Sequence, residues 1–291
     1  MNSARPASSP TIALALGAGG ARGLAHVAVL EALDDLGLPP VEIAGTSMGA
    51  ILGAAYAAGL TGREIRAHLL GLLRDRAGVM SLLLRARIGR FKDLFSGGFS
   101  NPVLIDGEVF LDLFWPKAVP DRFEELKLPF TAVATDFAGR CETAFNSGPL
   151  APAVAGSMAI PGLVKPVMAN GRILVDGGAV NPLPFRGLLS RADLVIACDV
   201  TGGPVADRAG APSPFEAMFG TAQIMQNAIT SEMLKVSRPD ILLVPAVQGF
   251  RVLDFFKAAQ ILAAAEPLRD EIKRAIDAHL ENILKSPVEP S

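Results

Sequence analysis

Short apolar runs bounded by glycine, with longer stretches of helical periodicity between them, restrict this chain more than any other feature of its sequence. The runs are Thr11–Leu16, Val41–Ala44, Pro129–Thr135, Arg172–Val175, Asp193–Val200 and Asp240–Pro245. Strand-length runs separated by helix-length segments assemble as βαβ units around a largely parallel sheet. Gly23–Leu36 and Met48–Ala58 read as two of the intervening helices, the first with Val27, Leu30, Leu33 and Leu36 on one face. The expected fold class is α/β: a three-layer sandwich whose largely parallel central sheet is flanked by helices. Pro129–Thr135 and Arg140–Asn146 read as a hairpin turning at Gly139, and Leu253–Leu284 as one long helix covering the sheet. No internal repeat is visible.

Composition bounds the class. Half of the 291 residues are hydrophobic and 19% are charged, as in a folded enzyme, and one large domain over residues 11–286 is expected. With 29 acidic against 27 basic residues there is no cationic surplus for nucleic acid, which is excluded as a partner. Cys141 and Cys198 form no Cys-x-x-Cys pattern, so neither a disulfide framework nor a metal site is indicated. Residues 1–10, rich in Pro and Ser, read as a flexible leader, 62–128 as a cap or lid region, 201–214 as a mobile loop and 287–291 as a tail. The apolar stretch 11–21 is too short to span a bilayer, which takes about 20 residues. Its removal as a secretion signal would delete the first strand and the loop that follows, so a cytoplasmic protein is expected.

Three motifs carry chemistry. Gly45-Thr46-Ser47-Met48-Gly49 lies where a strand turns into a helix, the context in which a strained turn presents a serine hydroxyl at the carboxyl edge of a sheet. Gly45 and Gly49 would give strand and helix room to approach, and a purely structural close-packing role is the plain alternative. Gly17-Ala18-Gly19-Gly20-Ala21-Arg22-Gly23 follows the first strand and opens a helix, so its amides converge on a space for an anion. A dinucleotide would need glycine where Arg22 stands and an acid ending the second strand, which instead ends Ala44-Gly45; the spacing favours an oxyanion. Asp176-Gly177-Gly178 closes the fourth run, placed equally well for a catalytic carboxylate or for a turn cap. The histidines are His26, His68 and His279, and Ser47, Asp176 and His279 follow the chain order of an α/β-hydrolase triad.

In this order, with GARGLAHVAVLEAL, IAGTSMGAILGAAYAAG, AGSMAIPG and ILVDGGAVNPLP, the motifs resemble those of patatin-like phospholipases and acyl hydrolases, over nearly the whole chain. The resemblance implies a patatin-like fold and a Ser–Asp dyad without histidine, Ser47 as nucleophile and Asp176 as base. It implies an oxyanion hole built on the amides of Gly19 and Gly20 within the stretch Gly19, Gly20, Ala21 and Arg22, with Gly17, Gly23, Gly45, Gly49, Gly177 and Gly178 shaping the turns. A lipid ester is the implied substrate, with no cofactor. Ala18, where many members have glycine, and Asp-Gly-Gly in place of Asp-Gly-Ala are departures that keep the backbone donors. A non-catalytic lipid- or acyl-binding regulator on the same fold is the second reading. Between Arg74 and Lys92, six basic residues (Arg74, Arg76, Arg85, Arg87, Arg90, Lys92) face one acid, Asp75, and alternate with Met80, Leu82, Leu83, Leu84, Ile88 and Phe91. Segment 74–95 therefore reads either as a peripheral contact with the anionic inner membrane surface or as a cap over the core.

Overall fold

The computed structural model describes residues 10–75, 77, 78, 81, 105–203 and 211–285. Most of the leader, nearly all of segment 74–95, the centre of the 201–214 loop and the tail lie outside the described residues.

The strands are β1 (Ile12–Leu16), β2 (Glu42–Thr46), β3 (Phe130–Asp136), β4 (Cys141–Phe145), β5 (Val167–Ala169), β6 (Arg172–Asp176), β7 (Leu194–Cys198) and β8 (Ile241–Leu243). They form one sheet, hydrogen-bonded in the order β5-β6-β3-β2-β1-β7-β8 with β4 on β3. The run from β3 to β8 is parallel, whereas β4 and β6 pair antiparallel with β3 and β5 pairs antiparallel with β6. The helices are α1 (His26–Leu36), α2 (Met48–Ala57), α3 (Gly62–Arg74), α4 (Gly107–Phe114), α5 (Leu150–Ser157), α6 (Pro214–Val236), α7 (Ala258–Ala265) and α8 (Pro267–Lys285).

β1 sets the layering. Its alternation sends Ile12, Leu14 and Leu16 into the large core beneath α1, α2, α3, α7 and α8. Ala13 and Ala15 face the other way, where small side chains let Leu183, Phe185, Leu188 and Met233 of α6 pack close. The result is the expected three-layer α/β sandwich.

The registers on β3 position everything that follows. Val133 pairs with Ala144 of β4 and Thr46 of β2, and Ala134 with Thr143 of β4 and Asp176 of β6. A residue in a sheet has one neighbour on each side, so β2 and β6 lie end to end along the edge of β3 opposite β4. Running in opposite directions, their carboxyl ends meet at Val133–Ala134. Parallel strands alone could not do this; the antiparallel entry of β6 brings Asp176 to the tip of β2.

Three local expectations are corrected. Leu253–Leu284 is not one helix: a short 3-10 turn at Phe255–Lys257 precedes α7, and Pro267, which cannot continue a hydrogen-bonded helix, opens α8. Gly23–Leu36 is helical in two registers, a 3-10 segment over Gly20–Ala25 and then α1. In the β3–β4 hairpin the left-handed residue is Arg140 (φ 55°), while Gly139 donates its N–H to the Asp136 carboxylate at 2.9 Å.

Candidate active site

Ser47 joins β2 to α2 with φ 56° and ψ −119°, a conformation that costs a non-glycine residue on the order of 1–3 kcal/mol and persists only when its surroundings enforce it. The enforcement is visible. A Cβ on Gly45 would collide with the Gly49 carbonyl, and one on Gly49 with the Leu16 carbonyl, so strand and helix touch backbone to backbone. The Ser47 N–H donates to Ser157 Oγ at 2.9 Å, and Ser157 donates to the Val133 carbonyl at 2.5 Å. Thr46 Oγ1 donates to the Asn181 carbonyl at 2.9 Å. Ser47 stands as N-cap of α2, so its side chain meets the positive end of the helix dipole. Ser157 is a residue that sequence reasoning missed. It lies in the quoted AGSMAIPG, but nothing local marks a buried hydroxyl as the support of a turn 110 positions away.

Asp176 is 6% exposed. Its carboxylate accepts from the Gly178 N–H at 2.8 Å, and the Ser47 hydroxyl lies near enough to favour its ionised form. Burial outweighs both of these influences and pushes the Asp176 carboxyl up to about 6. The cap role and the contact with serine coexist, because one oxygen takes the amide of a turn whose glycine, Gly177, lies too close to the Val133 carbonyl for any side chain. No imidazole stands between Ser47 and Asp176.

The glycine loop divides its donors. The amides of Gly17, Ala18 and Ala21 go to the carbonyls of Cys198 (3.0 Å), Pro182 (2.8 Å) and Val252 (2.8 Å). Gly19 and Gly20 are not drawn onto those carbonyls, and Gly20, held at φ 56°, lines the same cleft as Ser47. Arg22 turns away from that cleft. Its guanidinium, 1% exposed, donates to the carbonyls of Val200 (3.2 Å), Thr201 and Phe250 (3.2 Å) and to Gln223 of α6 (3.4 Å). Its side chain thus braces the loop from behind, and burial lowers its pKa to about 10 despite Asp199 nearby. Gly23 lets the 3-10 segment rest on Met48.

The histidines lie elsewhere. His26 is fully buried with Nε2 2.8 Å from the Gly17 carbonyl, and burial lowers it to about 4, so it is a neutral donor. His68 bonds the Phe114 carbonyl at 2.8 Å, and His279 sits on α8, which packs on α1 and β8.

Ser47 and Gly20 open into a cleft of about 250 Å³ walled by side chains such as Ile51, Leu73, Phe110, Phe114, Leu163 and Phe255. Among the described residues the wall is apolar apart from the serine, so it can hold a hydrocarbon chain beside one nucleophile.

Residues 14–189 match a family model described as patatin-like phospholipase, a span that takes in the glycine loop, Ser47 and Asp176. The chain belongs to the patatin-like phospholipase family. An uncharacterized NTE family protein of Mycobacterium tuberculosis is 40% identical over 207 residues, 70% of this chain and 53% of the relative. Patatin-like phospholipase domain-containing protein 7 of Rattus norvegicus is 34% identical over 201 residues, 68% of this chain and 14% of the relative. The patatin-like chain thus spans about half of the first relative's length and a small part of the second's. Among solved structures, VipD from Legionella pneumophila aligns over 92% of this chain and 67% of its own, at 14% identity and a TM-score of 0.48. α6, α7 and α8 follow the end of the patatin-like match.

Proposed function

We propose that the protein is a serine acyl hydrolase that cleaves fatty-acyl esters of lipids, of the phospholipase A or lysophospholipase type. The observation that carries this reading is the placement of Ser47, on a strained turn opening into an apolar cleft, beside the buried carboxylate of Asp176. In the first half-reaction Asp176 takes the Ser47 proton and Oγ attacks the ester carbonyl carbon. The electron pair moves onto the carbonyl oxygen, which the amides of Gly19 and Gly20 and the N-terminus of α2 stabilise. Collapse of this intermediate expels the alcohol, which receives the proton from Asp176. Water then loses a proton to Asp176, attacks the acyl-serine and releases the fatty acid as Ser47 is reprotonated. Ser47, Asp176 and water account for every proton and electron pair. Arg22 and Ser157 act as positioning residues, one behind the glycine loop and one beneath the serine turn.

The test is hydrolysis of a medium-chain p-nitrophenyl ester by the purified protein beside Ser47→Ala. Turnover that vanishes in the variant is expected. Equal turnover in both, or none in a folded wild type supplied with either soluble ester or phospholipid vesicles, would overturn the reading.

A further inference from the structure

The sequence leaves segment 74–95 as either a membrane contact or a cap over the core, and a different surface stands near the candidate site. α6 starts firmly, with Ser213 and Glu216 capping each other's backbone amides and Pro214 in the first turn. From residue 217 to residue 231 it carries no Asp, Glu, Lys, Arg or His. One face of this stretch is buried through Phe219, Gln223 and Thr230. The opposite face leaves Met218 44%, Ile224 57% and Met225 57% exposed, with Thr221 and Ala228 beside them at helical spacing. Charge resumes at the two ends, where Glu216 pairs with Arg251 (3.7 Å) and Glu232 with Lys235 (2.6 Å).

Position gives this face its meaning. The Met218 side chain rests on Gly162, between the cleft residues Ile160 and Leu163, and Gln226 rests on Gly178 beside Asp176. α6 therefore runs from beside Asp176 to the 160–163 segment, part of which lines the cleft, although among the described residues none of α6 lines the cleft itself. Single exposed apolar side chains are ordinary, whereas a contiguous uncharged strip at a site marks an interaction surface. An acyl chain drawn from a lipid layer would pass along such a strip without entering water, and methionine and isoleucine can embed without recognising any charge.

We infer that the outer face of α6 docks on a lipid surface through apolar contact, with no requirement for anionic headgroups. The inference rests on the acyl-hydrolase reading for its purpose but not for its measurement. Its signature is the reverse of a basic segment's: binding to a zwitterionic bilayer that salt does not weaken. A second copy of this chain is the rival occupant, which the oligomeric state of the double variants tests.

The experiment is co-sedimentation of the Ser47→Ala protein with phosphatidylcholine vesicles at about 0.1 and 0.5 M NaCl. Equal binding at both salts is expected, reduced at least about tenfold by Ile224→Glu with Met225→Glu, and likewise by the Lys pair. In the Ser47 protein the same substitutions should leave turnover of a soluble p-nitrophenyl ester and the melting temperature unchanged. Binding that needs anionic lipid and fades with salt would overturn the inference, as would no binding or unaltered binding by both double variants. A wild-type dimer that the substitutions split would give the face to a second copy instead. Failure of the hydrolase reading would appear separately, as absent ester turnover with vesicle binding intact.

Discussion

Two carboxylates in this molecule are almost equally buried, Glu31 on α1 at 2% exposure and Asp176 at 6%, yet their surroundings are opposite. Glu31 receives Arg66 through both of its oxygens at 2.7 and 2.6 Å, with Arg269 of α8 at 3.8 Å. Arg66 continues to Glu266, so one network ties α1, α3 and the turn before α8. Asp176 receives the Gly178 amide and has the Ser47 hydroxyl beside it, and among the described residues it makes no ion pair. Burial alone does not decide what a carboxylate does. With cations supplied, Glu31 is a staple; without them, Asp176 holds its proton to near-neutral pH and can exchange it with a hydroxyl.

The largest test of that contrast is Asp176→Asn. Turnover should fall about 10³-fold or more, because amide nitrogen cannot accept the serine proton. Stability at pH 7.5 should rise at the same time. The folded pKa of about 6 lies above the ordinary 3.8, so the ionised form is disfavoured by folding and the cost is fully present above pH 6. Removing it is worth up to about 3 kcal/mol, seen as a higher melting temperature. Glu31→Gln should do the reverse. Uncoupling Arg66 and Arg269 costs about 3 kcal/mol in chemical denaturation while turnover per folded molecule stays unchanged. An Asp176→Asn protein that melts lower than wild type, or a Glu31→Gln protein as stable as wild type, would break the comparison.

A smaller effect sharpens it. If Asp176 is the base, kcat/KM should climb with one-proton slope up to about pH 6 and flatten above, as the carboxylate ionises. A rise centred near pH 4 would mean that burial does not set its proton affinity.

How far the site was legible from sequence follows from the range of the interactions. Ser47 and Asp176 announce themselves because their turns are local: a glycine on each side of one, two glycines after the other. Their meeting is not local. It depends on β6 pairing antiparallel with Ala134 just where β2 leaves Val133, a register that no short pattern encodes. Arg22 is conspicuous in the loop, but its partners Val200, Gln223 and Phe250 are about 180 to 230 positions away, so its inward direction is a tertiary fact. β5 has three residues and, among the described residues, pairs only with β6, too short for alternation to register. The sequence reads as a helix following the 201–214 loop, but the bounds of α6 are not marked because its outer face is apolar too, which removes the polar stripe that periodicity needs.

The smallest expected effect joins His26 to Asp176. His26, lowered to about 4 from an ordinary 6.5, refuses a proton that the unfolded chain accepts, so its contribution to stability falls as pH drops from about 6.5 towards 4. Asp176 works in the opposite direction over nearly the same window, binding a proton in the folded state from about 6 downwards while the unfolded chain waits until 3.8. Each is worth up to about 3 kcal/mol, so in the wild type the two should nearly cancel between pH 4 and 6. Single variants expose them. Relative to wild type, His26→Gln, whose amide can still donate to Gly17, should gain stability as the medium is acidified. The advantage of Asp176→Asn should vanish over the same range. Denaturation series at pH 4, 5, 6 and 7.5 measure both differences, and other carboxylates drop out of each one because they are common to variant and parent. Parallel curves for the two variants would mean that the histidine beneath the glycine loop and the carboxylate beside the serine do not sit in the opposed electrostatic states that their burial implies.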